Sequence, residues 1–167
     1  MSYRNKTYVI FDGDEDIWAY GRMKGWNALE TVDFNFFDAH DLNALRDGSA
    51  ESTVKRKLRE RLANAKQAIV LIGENTKNLY RYVRWEIECC IDLGIPIVAV
   101  NLNGLRIMDG KLCPPILKNK CVVHVPFKMK IIRLALDDFC ANYHQYVAQG
   151  ITDCFYPAAT YSSLGIE

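Results

Sequence analysis

Two short runs without a single polar residue, 68–72 (AIVLI) and 97–100 (IVAV), constrain the fold more than any other feature of this chain. A strand exposed on one side alternates apolar with polar residues. A strand that is apolar throughout has both faces covered, as in the middle of a parallel sheet. Around these runs the period changes to that of helices. Residues 51–65 carry an apolar stripe of Val54, Leu58, Leu62 and Ala65 on a charged background. Residues 80–93 form a second helical pattern, closed by Gly94-Ile95-Pro96.

The rest of the chain keeps the alternation. Residues 8–11 are a buried strand ending in the turn Asp12-Gly13-Asp14, and 16–26 are helical with acidic residues at the start. Residues 32–37 are aromatic and β-like, and 38–49 and 73–79 are polar loops. Segment 101–120 is irregular, 122–125 is a last strand and 128–146 a last helix. The expected fold class is α/β: a five-stranded parallel sheet in a flavodoxin-like three-layer sandwich, strand order 2-1-3-4-5. The domain spans 1–149. Residues 150–167 lack clear periodicity and read as a C-terminal tail that packs loosely or extends as an arm.

A chain of 167 residues suits one domain with a real core. Its formal net charge of +1 gives no long-range pull toward nucleic acid or membrane. No apolar run is long enough to span a bilayer and no secretory signal opens the chain, so a cytoplasmic protein is expected. The six cysteines form no disulfide framework and read as free thiols. The spacing of Cys113, Cys121 and His124 matches no common zinc pattern, so no metal is expected.

Glu86 is out of place for a surface carboxylate. At about 100° per residue, Tyr82, Val83, Cys89, Cys90 and Leu93 all fall within about 60° of it, while Arg81, Arg84, Glu88 and Asp92 share the other side. A carboxylate buried without partners costs several kcal/mol, so such a group is paired, protonated or functional.

Open α/β sheets bind ligands beyond the C-terminal strand ends. That rim gathers Asp12, Asp14 and Trp18 after the first strand, Asp38, His40 and Asp41 after the second, and the Glu86 helix after the third. No Walker loop, Gly-x-Gly-x-x-Gly turn or Gly-x-Ser-x-Gly elbow is present. A response-regulator receiver would need an Asp after the third strand, where Gly73-Glu74 stands. A buried carboxylate beside an aromatic-lined crevice suits cleavage of an N-glycosidic bond, whose transition state places positive charge on the ribose. Phe11, Trp18 or Tyr20 would stack on a nicotinamide or adenine ring. The plainer readings stand beside these. Glu86 pairs with Arg22, Arg46 or another base; Tyr82 and Trp85 are core; His40 is solvated; the Asp12–Asp16 cluster is a helix-entry turn; and the charges of 55–61 are a solvated helix face.

Leu71-Ile-Gly-Glu-Asn-Thr-Lys-Asn, Tyr82-Val-Arg-Trp-Glu-Ile-Glu and Gly94-Ile-Pro-Ile-Val-Ala-Val, with Phe11-Asp-Gly-Asp and Phe37-Asp38, resemble the bacterial TIR-like domain of the Thoeris ThsB group. The resemblance covers about three quarters of the chain. It implies an NAD-cleaving enzyme with Glu86 catalytic, four residues after the aromatic Tyr82, and Phe11, Asp12, Trp18, Asp38 and Tyr82 binding substrate. NAD is then substrate, and no cofactor is expected. The product is an ADP-ribose-type signal, linear or cyclic, sensed by a downstream effector in antiphage defence, and a homo-oligomer is expected. Asp12-Gly13-Asp14 departs from the small hydroxyl or apolar residue usual in the first TIR loop. The other reading is a noncatalytic TIR-type interaction module. It expects Glu86 paired with an arginine and closed from solvent, where the enzyme expects an open crevice reaching it.

Overall fold

The computed structural model describes residues 6–28, 51–79 and 81–167, and the backbone alone of 37–38. The expected β-like segment 32–36, the loop residues 39–50 with His40, Asp41 and Arg46, and Tyr80 lie outside the described residues.

The strands are β1 (Lys6–Ile10), β2 (Phe37–Asp38), β3 (Gln67–Ile72), β4 (Ile97–Asn101), β5 (Val122–Pro126) and β6 (Cys154–Phe155). All pairings are parallel and the order is β2-β1-β3-β4-β5-β6. The expected order 2-1-3-4-5 is present, and the C-terminal segment adds a sixth strand at the β5 edge. β3 and β4 are the two central strands, and every residue in both is buried.

Period-two alternation divides the strands between two cores. Tyr8, Ile10, Ala68, Val70, Ile72, Ile97 and Ala99 face α2 (Glu51–Leu62) and α3 (Tyr82–Asp92). Val9, Phe11, Ile69, Leu71, Val98, Val100, Val123 and Val125 face α1 (Ile17–Ala28) and the long C-terminal helix. α2 buries Val54, Leu58 and Leu62, the stripe read from its spacing. The long helix runs through α4 (Met129–Leu134), a wider π-type turn (Ala135–Phe139) and α5 (Cys140–Ala148). It buries Ile131, Ile132, Ala135, Leu136 and Phe139 against the sheet.

The residues after Gly150 do not leave the domain as an arm. Asp153 N–H donates to the Lys120 carbonyl at 2.9 Å, and the Asp153 carboxylate accepts from Asn119 N–H at 3.1 Å. These bonds lay β6 against β5. Helix α6 (Ala158–Ser163) then buries Tyr161 in the second core, with the Arg106 guanidinium 4.2 Å from its ring centre, and Lys130 donates to the Leu164 carbonyl at 3.0 Å. A two-residue strand and a six-residue helix are too short to show a period in sequence. All six cysteines are free thiols. No helix among the described residues is long and apolar enough to cross a membrane.

Candidate active site

α3 follows β3 and runs antiparallel to it, so its first turn lies at the C-terminal rim of the sheet. Glu86 is one turn in. It is 7 % exposed and sits in the first core, on the side of α3 that packs on β1. The buried arc is wider than the sequence stripe and takes in Trp85 and Ile87 on either flank. Glu88 points outward, 3.4 Å from Lys55 and 3.9 Å from Arg84.

The groups that act on the Glu86 carboxyl come from the neighbouring elements: the Arg61 charge from α2 and the Tyr8 hydroxyl from β1, both favouring the ionised form. Glu86 Oε2 has no hydrogen-bond partner among the described residues. Desolvation by burial pushes the Glu86 carboxyl up to about 8, against the opposing pull of the Arg61 charge and the Tyr8 hydrogen bond. At neutral pH the resting carboxyl is therefore mostly protonated. Burial, then the neighbouring Glu86 charge, raises the Tyr8 phenol, which stays a donor. Burial, and next the Glu86 charge, also holds the Cys90 thiol well above its usual value.

The other predicted residues are placed as follows. Tyr82 is half-buried one turn before Glu86, nearer the rim, edge-on to Trp85 at 5.8 Å. Phe11 is buried on the opposite face of the sheet, stacked on Tyr20 at 4.6 Å. Trp18 is 50 % exposed on α1, edge-on to Phe127 at 5.6 Å, with Arg22 beside it rather than beside Glu86. Phe11 and Trp18 thus belong to the α1 side, while Glu86 and Tyr82 belong to the α3 side. The backbone of Asp38, in β2, pairs with Thr7 of β1; the Asp38 side chain lies outside the described residues.

Asp12 lies at the rim between the two faces. Its Oδ1 accepts from the backbone N–H of Asp14 at 3.0 Å and Glu15 at 3.4 Å, and Oδ2 accepts from the Asn75 side chain at 3.4 Å. The carboxylate is turned into the loop that leads into α1. Asp16, also buried, has its carboxyl raised by desolvation first and then by Asp12 and Glu15. No group of three or more side chains able to hold a metal occurs among the described residues.

Gly73 closes this corner. Its N–H donates to Thr76 Oγ1 at 2.9 Å, and a Cβ built on it would overlap the Asp16 carboxylate. Gly73→Ala is expected to lose about 1–3 kcal/mol of stability by overpacking, and Asp16→Ala to recover part of that loss in the double variant. Denaturant unfolding of the four proteins of this cycle checks it. Strictly additive effects would contradict the contact.

Tyr8 and Arg61 are the residues that sequence reasoning did not assign to the site. Tyr8 read as a strand residue and Arg61 as part of a solvated charge run. The signal available was a hydroxyl on an otherwise apolar strand, since a buried phenol oxygen requires a partner.

The family model described as Thoeris protein ThsB, TIR-like domain, matches residues 8–107. That stretch runs from Tyr8 through the Glu86 helix to the loop after β4 and is more than half of the chain. The protein belongs to the ThsB family of TIR-like domains of the Thoeris defence system.

Proposed function

We propose that the protein cleaves NAD at the nicotinamide–ribose bond, with Glu86 as the carboxylate facing the ribose. The observation that carries the reading is a buried carboxylate on α3 whose Oε2 has no hydrogen-bond partner among the described residues. In the reaction the C–N bond breaks and its electron pair leaves with nicotinamide, which departs neutral and needs no acid. The ribose carbon becomes an oxocarbenium ion. Water captures it to give ADP-ribose and a proton, or a nucleophile of the same molecule captures it to give a cyclic product. An ionised carboxylate beside that carbon stabilises the charge, more strongly in a desolvated site than in water.

The resting carboxyl is mostly protonated at pH 7, so the working form is made when substrate arrives. The nicotinamide ring of NAD carries a positive charge, and an adjacent cation favours ionisation of a carboxyl. Asp12 does not oppose the diphosphate strongly, because its oxygens are engaged by the loop backbone and Asn75. Within a Thoeris system the product is the signal for a downstream effector during phage infection.

A specific observation also favours the interaction-module reading. Glu86 is nearly closed from solvent and feels the Arg61 charge, and large apolar side chains at Trp18 and Phe155 stand exposed. Incubation with NAD and analysis of products separates the two. The enzyme gives nicotinamide and an ADP-ribose-type product in equal amounts, at a specific rate that rises with protein concentration if a second copy completes the pocket. Intact NAD at every concentration, with folded protein, leaves the module.

A further inference from the structure

We propose that Arg81 anchors the diphosphate of NAD at the mouth of the site, at the start of the helix that carries Glu86. The inference rests on the reading of Glu86 as the carboxylate facing the ribose. It deepens that reading by naming the group that tells a dinucleotide from a bare nucleoside.

Arg81 is set apart by what it touches. Neighbouring cations on the outer side of α2 and α3 are tied to acids. Lys55 meets Glu51 at 2.9 Å and Glu88 at 3.4 Å, Arg59 meets Asp92 at 3.0 Å, and Arg84 lies 3.9 Å from Glu88. Arg81 is exposed, and no carboxylate among the described residues pairs with it. Its guanidinium lies instead over two aromatic rings, 5.8 Å from the centre of Tyr82 and 5.7 Å from that of Trp85. Contact with the face of a ring fixes the cation in place and gives its N–H groups no oxygen to bind. The planar fork that suits phosphate oxygens is therefore positioned and left for a ligand.

Its place along α3 fits the length of the substrate. Arg81 stands immediately before the first residue of the helix, at the C-terminal rim of the sheet, and Glu86 follows five residues later. Five helical residues rise about 7.5 Å. In NAD one ribose and its 5′ carbon separate the scissile bond from the nearer phosphate, a span of that order. A substrate with its ribose carbon at Glu86 thus brings its diphosphate to the first turn of α3. Tyr82 lies on the same flank of the helix as Glu86, so a guanidinium leaning on the Tyr82 ring reaches toward the side that holds the carboxylate. The first turn carries no acidic residue and no capping side chain, so the positive end of the helix dipole adds to the Arg81 charge. One turn deeper, Glu86 is 7 % exposed with Oε2 unpartnered among the described residues, which marks the other end of the same ligand.

A guanidinium over two rings could serve packing alone, and the test separates the two roles. Calorimetry on the full chain measures binding of a non-cleavable carbocyclic NAD analogue to wild type, Arg81→Gln and Arg81→Lys, at low and high salt. The nucleoside counterpart of that analogue, which lacks the diphosphate, is measured beside it. Arg81→Gln is expected to weaken the analogue about tenfold at low salt, as for loss of a hydrogen bond to a charged group, with Arg81→Lys between it and wild type. The gap is expected to narrow as salt rises, since an exposed charge pair is screened. The nucleoside is expected to bind wild type and Arg81→Gln alike. Equal affinity of wild type and Arg81→Gln for the analogue overturns the anchor. Equal losses for analogue and nucleoside, or a loss indifferent to salt, mark a packing defect and overturn it too. Wild type that binds the analogue as expected and leaves NAD intact overturns the enzymatic reading instead, and wild type that binds no analogue overturns both.

Discussion

Glu86→Gln is expected to lower the rate of NAD cleavage about 10²–10³-fold, the loss typical of removing one preorganised electrostatic contact, or about 3–4 kcal/mol of barrier. Glutamine keeps the shape and its amide oxygen still accepts hydrogen bonds, so the change isolates charge. Glu88→Gln is the internal control. It lies two residues away on the same helix, chemically identical, but its carboxylate is turned outward between Lys55 and Arg84. Its expected effect on turnover is small, because partly exposed ion pairs of this kind contribute little. Nicotinamide release by wild type and both variants, under conditions where wild type turns over, checks the pair. Equal rates for wild type and Glu86→Gln would remove Glu86 from catalysis and leave the interaction module as the better account.

The same substitution is expected to stabilise the fold, and increasingly so as pH rises. The unfolded chain ionises Glu86 near 4.5, the folded protein only near 8. Between these values the native state holds a proton that the unfolded state has released, so wild-type stability falls as pH rises through that window. Below it both states are protonated and the penalty is absent. Above it the penalty is complete, about 3–5 kcal/mol for a difference of this size. Glutamine has no such titration. Urea unfolding at about pH 5, 7 and 9 is expected to show a stability gain for Glu86→Gln that grows from about 1 kcal/mol or less to its full value. Parallel pH dependences in wild type and variant would mean that Glu86 is not held neutral in the folded state. Opposite effects of one substitution on rate and on stability are what a site maintained for chemistry shows.

The central strands were legible because burial on both faces removes every polar residue from them. Runs like 68–72 and 97–100, short, β-branched and bounded by turn residues, are what such strands yield. The inward turn of Glu86 was legible for a related reason, since a helix fixes angular position by residue number alone. Its partners were not. Tyr8 is an aromatic residue in an apolar strand, and Arg61 is one of several cations on α2; only the packing of α2 and α3 on β1 brings both to Glu86. Grouping Phe11 and Trp18 with Glu86 used the rim of the sheet and passed over its faces. The alternation in β1 holds that information, because Phe11 shares its side with Val9, and Tyr8 shares the other with Ile10. The docked C-terminal segment escaped sequence reading because hydrogen bonds at Asp153 and one buried ring at Tyr161 hold it, rather than a periodic stripe.

Glu86 Oε2, without a partner among the described residues, is proposed to meet the positively charged end of NAD. Titration of protein carrying carbon-13-labelled glutamate side chains, its Glu86 carboxyl signal assigned by loss in Glu86→Gln, at about pH 7 with a non-cleavable carbocyclic NAD analogue tests it without relying on turnover. The account expects the Glu86 carboxyl signal to move from its protonated toward its ionised position, saturably with analogue. A Glu86 signal that stays at its protonated position while other residues report bound analogue would contradict it.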